Sequence, residues 1–169
     1  DIEGMQERTI ILDGFSKSYA MTGWRLGYGI MPLELVPHIV KLAVNSVSCA
    51  ASFSHMASIA ALEGPQEDVV SMAQEFAERK TLIVEGLRSI KGLTCPEPEG
   101  AFYVFPNISE TGLTSNEFEE RALNEAGVAL LAGSAFGEFG EGYVRLSYAN
   151  SKENINIAID SLDAFVNAL

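Results

Sequence analysis

Across residues 66–91 the apolar side chains Val69, Val70, Met72, Ala73, Phe76, Leu82, Ile83, Leu87 and Ile90 recur at helical spacing. Lys91-Gly92 follows as a basic last turn and a capping glycine. A pattern this long with one apolar stripe specifies a long helix that must bury the stripe against another layer. Just before it, an Ala-rich helical stretch over 53–62 runs into Gly64-Pro65. The glycine suits a helix end and the proline forbids continuation. That break is the expected domain boundary, dividing the chain into 1–64 and 65–169.

Upstream, Thr9-Ile10-Ile11-Leu12-Asp13 is a short β-branched run ending at Gly14. It reads as a buried strand of a parallel sheet covered on both faces. A polar loop leads to a second strand, Gly27-Tyr28-Gly29-Ile30-Met31, stopped by Pro32, and Leu35, Val36, Ile39, Val40 and Ala43 then return to helical spacing. Downstream of the long helix, 93–95, 101–105, 128–131 and 143–148 read as short strands. Thr114 with Glu117 forms a capping box opening a helix to about Ala126. Asn150 with Glu153 is expected to cap a last helix whose apolar face carries Ile155, Ile159, Leu162, Phe165, Val166 and Leu169. The fold class is therefore α/β at the front and α+β at the back.

The 23 acidic against 11 basic residues give a net charge of −12, which repels a phosphate backbone over most of the surface and argues against nucleic acid. No apolar run reaches the 18 or so residues of a membrane span, and the first residues lack a signal peptide's basic start. The chain reads as soluble and cytoplasmic. Cys49 and Cys95 are far apart, with no CxxC and no histidine at ligand spacing, so a reduced pair and no metal are expected. His38 and His55 lie inside apolar helical patterns without an evident acid–base companion.

The densest chemistry lies between the two front strands, in Gly14-Phe15-Ser16-Lys17-Ser18-Tyr19-Ala20-Met21-Thr22-Gly23-Trp24-Arg25-Leu26-Gly27. Ligands of open α/β sheets bind outside the carboxyl ends of strands. A lysine there, partly desolvated, offers a neutral amine for imine formation. Arg25 offers a fork for a phosphate, aided by the Ser16 hydroxyl and loop N–H groups. An amine and a phosphate grip on one loop describe a pyridoxal phosphate site, although spacing alone equally fits a surface loop with two solvated cations. Arg145 alternates with Tyr143 and Ser147 on one strand face, opposite Val144, Leu146 and Tyr148. A half-buried guanidinium needs an anion, which is either a substrate carboxylate or one of the chain's own acids.

The run from Ser16 to Tyr28 resembles the cofactor-lysine segment of class I/II (fold type I) pyridoxal-phosphate aminotransferases, in the aspartate aminotransferase superfamily. Ser48-Cys49, Pro98-Glu99-Gly100-Ala101-Phe102-Tyr103, Gly133-Ser134-Ala135-Phe136-Gly137 and Val144-Arg145-Leu146-Ser147-Tyr148-Ala149 resemble later signatures of that family, in the same order. The resemblance covers essentially the whole chain. It implies that 1–64 is the end of a large, parallel-sheet-rich cofactor domain and 65–169 the α+β small domain. It implies pyridoxal 5'-phosphate as cofactor and amino-group transfer from an amino acid to a 2-oxo acid. Lys17 would be the internal-aldimine lysine and acid–base catalyst, Ser16 and Arg25 cofactor ligands, and Arg145 the substrate-carboxylate ligand. Trp24, Phe102 and Tyr103 would wall the site or serve as plain core.

Members of the family are longer, so the resemblance also implies a missing front half that would carry the aspartate facing the pyridine nitrogen. Asp13, four residues before Lys17, is no substitute by motif. The complete protein is expected to be a homodimer, and the chain alone to be inactive. Ala132 stands where relatives often carry proline. Gly137, Gly140 and Gly142 precede a strand rather than a helix, so they read as a flexible connection and not as a phosphate loop. Two alternatives remain open: another reaction on the same scaffold, such as β-elimination, or a ligand-sensing domain of a transcription regulator.

Overall fold

A computed structural model describes residues 2–169. The regular elements are β1 (Ile11–Gly14), β2 (Gly27–Ile30), α1 (Val36–Ser46), α2 (Ser52–Glu63), α3 (Glu67–Ser89), β3 (Tyr103–Val104), α4 (Ser115–Ala126), β4 (Leu131–Ala132), β5 (Val144–Ser147) and α5 (Lys152–Asn167), an α/β chain. It divides into two compact units, Asp1–Ser71 and Met72–Leu169, the division falling within α3.

In the first unit β1 and β2 pair antiparallel, with Ile11 opposite Ile30, Asp13 opposite Tyr28 and Gly14 opposite Gly27. Within this chain β1 is paired on one side only, by an antiparallel partner, and Ile11 is 51% and Leu12 79% exposed. The link between the strands holds only a 3-10 turn, Thr22–Trp24, and a parallel pair needs a crossover of a dozen or more residues, usually helical. The chain simply reverses. α1 and α2 follow where the apolar spacing put them, and the Gly64 N–H closes α2 on the Ala60 carbonyl.

The second unit packs α3, α4 and α5 around an antiparallel sheet of order β3-β5-β4. Its core contains Leu87 of α3, Phe118 of α4, Leu162 of α5 and Val144 of β5, all essentially sealed from solvent. The Phe118 and Phe165 rings meet edge to face with centroids 5.4 Å apart. Cys95 is buried beside this core, and burial pushes its thiol up from the ordinary value. The strands here are shorter than their apolar runs. The run at 93–95 is reduced to a single bridge, Thr94 with Asn107, because Pro96 and Pro106 flank it and have no N–H to extend the ladder.

The capping box at α4 is present in both directions. The Thr114 hydroxyl accepts from the Glu117 N–H at 3.3 Å, and the Glu117 carboxylate accepts from the Thr114 N–H at 2.9 Å. The Thr114 hydroxyl and backbone hold the Glu117 carboxyl below its ordinary value. That contribution is therefore intact above the ordinary carboxylate pKa and is lost as pH falls through the lowered one. Thr114→Ala is expected to destabilise the protein by about 1 kcal/mol. A lower urea midpoint at neutral pH would be the signature, and an unchanged midpoint would refute it.

α5 is capped one residue later than expected. Ser151, extended at φ −66° and ψ 152°, accepts the Asn154 N–H on its hydroxyl. Asn150 supports the turn from outside, its Oδ1 accepting from the Ser151 N–H at 2.8 Å and the Asn154 amide at 2.9 Å.

The glycine-rich stretch before β5 is not a flexible connection. It folds into two 3-10 turns, Gly133–Phe136 and Glu138–Gly140. Gly133 and Gly140 are buried against each other so closely that a Cβ on either would collide with the other's carbonyl oxygen. Ser115, fully buried at the start of α4, ties the stretch down: its hydroxyl accepts the Gly142 N–H at 2.9 Å and donates to the Gly140 carbonyl at 3.4 Å.

Candidate functional site

The loop 15–26 is built around one aromatic plug. Phe15 is 3% exposed, its ring set against Tyr19 and Tyr28 at 5.5 and 5.6 Å. Its N–H donates to the Leu26 carbonyl, and its own carbonyl accepts from Tyr19 and Met21. Met21, also buried, pins the far side. The loop is thus a folded body, and it carries Ser16, Lys17 and Arg25 together. Ser16 is half-buried; the side chains of Lys17 and Arg25 are exposed.

Arg25 caps the 3-10 turn in a left-handed conformation, φ 51° and ψ 52°, and its Nη1 donates to the Thr22 carbonyl at 2.9 Å. Among the described residues, no carboxylate lies within 4.0 Å of its guanidinium. Asp13, the acid nearest in sequence to Lys17, is engaged elsewhere. Its Oδ1 accepts the Gly14 N–H at 2.7 Å and its Oδ2 the Tyr28 hydroxyl at 3.3 Å. Desolvation, and then that carboxylate, push the Tyr28 phenol up. A primary amine, a hydroxyl and a guanidinium with no acid competing for it make a donor set that fits an aldehyde-bearing phosphate such as pyridoxal phosphate.

Arg145 lies in the second unit, on the central strand β5 opposite Leu131. The strand alternates as its sequence requires: Val144 and Leu146 enter the core, Arg145 is half-buried and Ser147 exposed on the other face. The guanidinium carbon sits 4.3 Å from the Tyr103 ring centroid and 4.5 Å from that of Phe136. Phe136 in turn meets Phe105 edge to face at 5.9 Å, and Phe105 stacks on Tyr143 at 5.5 Å. Among the described residues, no acid lies within 4.0 Å of Arg145. Aromatic contacts stabilise the cation without neutralising it, so its capacity for a bidentate carboxylate is retained.

Of the expected walls, Tyr103 contacts Arg145, Phe102 packs on Phe76 at 6.2 Å, and Trp24 stands 44% exposed with its edge toward Phe53. His38 and His55 are exposed on α1 and α2. Among the described residues no group of three or more His, Cys, Asp or Glu could hold a metal, and no helix is long and apolar enough to cross a membrane. The arginine contact of Phe136 was not foreseen; its only sequence signal is its place in the Gly133-Ser134-Ala135-Phe136-Gly137 run. A second unforeseen feature is backbone strain. Among the described residues, the non-glycine residues with positive φ are Ala20 (52°), Arg25 (51°), Ser48 (64°) and Ala101 (59°), and each lies in one of the family-like motifs. Such strain persists only where surrounding structure over-determines it, and it clusters at binding sites.

Residues 2–162 match the family described as Aminotransferase class I and II. The chain is 43% identical over 159 residues to an aspartate aminotransferase of Pyrococcus horikoshii, covering 93% of this chain and 41% of that protein. It is 43% identical to aromatic-amino-acid aminotransferase 2 of Thermococcus litoralis, covering 96% of this chain and 42% of the relative. The crystal structure of an aromatic aminotransferase from Pyrococcus horikoshii superposes with a TM-score of 0.95 at 41% identity, over 99% of this chain and 45% of that one. The chain thus spans about two fifths of the length of the curated relatives it matches.

Proposed function

We propose, from the premise that this chain belongs to the class I and II aminotransferase family, that the whole protein moves an amino group from an amino acid to a 2-oxo acid. Enzymes of this family use pyridoxal 5'-phosphate. When bound, that group supplies an aldehyde that takes up the substrate's amino group and a ring that withdraws the electrons left behind as the α-proton departs. The observation that carries the reading is the gathering of Ser16, Lys17 and Arg25 on one folded loop with no acid beside Arg25.

In this reading Arg25 and the Ser16 hydroxyl would hold the cofactor phosphate. The Lys17 amine would hold the aldehyde until substrate arrives, and would then carry the proton from the substrate α-carbon to the carbon that had been the aldehyde, two atoms along. Arg145, held against the Tyr103 and Phe136 rings, would dock the substrate carboxylate and so orient the α-hydrogen. Residues 1–64 would complete the cofactor domain and 65–169 form the small domain, with the complete protein a homodimer. We place it in the cytoplasm, where free cysteines such as Cys49 and Cys95 persist.

Treating the full-length protein with pyridoxal phosphate at low concentration, then borohydride, then mapping peptides tests the assignment. The label is expected on the peptide carrying Lys17 in preference to other lysines. Labelling spread evenly over surface lysines would refute it.

A further inference from the structure

We propose that Ser54 is a positioning residue for the phosphate-binding arginine, Arg25. This deepens the reading above and rests on it. Ser54 lies near the start of α2, in a stretch rich in small and apolar residues, and it is fully buried. Its hydroxyl donates to the Trp24 carbonyl at 3.0 Å. That carbonyl belongs to the peptide leading into Arg25, so the bond fixes the plane from which the strained left-handed residue departs. The neighbouring Phe53 ring meets the Trp24 indole edge to face at 6.1 Å, holding the same residue from its side chain. α2 therefore grips Trp24 at both backbone and ring, and the grip ends where the guanidinium begins.

A left-handed arginine is costly unless its neighbours leave it no alternative. Arg25 secures its own side chain through the Thr22 carbonyl, but nothing in that bond sets its backbone. The Trp24 N–H is bonded to the Met21 carbonyl, and the Trp24 carbonyl is bonded to Ser54. Without the hydroxyl the Trp24 carbonyl would lose the buried partner that holds it, and the peptide would rotate to find another. Rotation there swings Arg25 away from a phosphate held by Ser16 and the loop. Loss should thus fall on phosphate recognition and spare recognition of the aldehyde, which is the task of Lys17.

The test measures dissociation constants of pyridoxal phosphate and of pyridoxal, which lacks the phosphate, for the full-length protein freed of cofactor. Ser54→Ala is expected to weaken pyridoxal phosphate about tenfold, the effect of one lost hydrogen bond and its orphaned partner. Pyridoxal should bind as it does to the unsubstituted protein, and Ser54→Thr, which keeps the hydroxyl, should restore most of the affinity. Equal binding of pyridoxal phosphate by Ser54→Ala would overturn the proposal, as would parallel weakening of both ligands, which marks a general structural role. Arg25→Gln separates the two levels of argument. If it leaves pyridoxal phosphate affinity unchanged, the phosphate grip itself is refuted and the role of Ser54 falls with it.

Discussion

In the full-length protein, Lys17→Ala is expected to lower turnover of amino acid and 2-oxo acid by about 10⁴-fold or more. Positioned acid–base catalysis alone contributes roughly 10²–10⁴, and loss of the amine that holds the aldehyde adds to it. Folding should be little affected. The loop is anchored by the buried Phe15 and Met21, while the Lys17 side chain is exposed, and substitutions at such positions usually change stability by less than about 0.5 kcal/mol. An unchanged melting temperature would therefore let the lost turnover be read as chemistry. Lys17→Arg sharpens the result: it keeps a positive charge but cannot give up its proton near neutral pH. Both variants should be inactive, whereas activity within tenfold of the original in either would exclude Lys17 as the proton carrier.

Arg145→Gln is expected to raise KM about 100-fold for amino acid and oxo acid alike, with a much smaller change in kcat, as befits loss of about 3 kcal/mol of charge-assisted binding. On the proposed role the same group would dock the carboxylate of both substrates, so the two KM values should move together. Arg145→Lys should recover only part of the loss, because an ammonium keeps the charge but not the flat two-pronged fork. An ammonium also stacks less well than a guanidinium on the Tyr103 and Phe136 rings. A fall in kcat with unchanged KM would instead place Arg145 away from the substrate carboxylate.

The helices were legible because their signals are local. The apolar spacing of α3 and the Thr114–Glu117 pair of α4 state a period and a start within a few residues of each other. The α5 cap slipped by one because Asn150 and Ser151 both cap well, and only the extended backbone at Ser151 decides between them. The direction of β1 was not legible: an apolar run fixes a strand but not its neighbour, and the pairing with β2 depends on how the intervening loop reverses. The roles proposed for Lys17, Arg25 and Arg145 came through motifs whose residues are contiguous. The contact of Ser54 was hidden because it joins segments 30 residues apart, and that of Phe136 because two 3-10 turns fold the chain back between it and Arg145. The glycine-rich stretch misled because glycine permits flexibility and tight closure alike, and only the mutual contact of Gly133 and Gly140 selects closure.

The four left-handed residues have a practical consequence for anyone seeking a hardier version of this protein. Ala20, Arg25, Ser48 and Ala101 hold a conformation that glycine reaches freely. At Ala20, Ser48 and Ala101 a glycine would relieve strain, and a screen that rewards heat resistance alone would be drawn to them. Ala20 lies in the loop proposed to hold the cofactor and Ala101 two residues before Tyr103, which touches Arg145, places where stored strain goes with a rigid binding surface. Gains in thermal tolerance found there would come with looser ligand grip, so durability is better sought on the outer faces of α3 and α5.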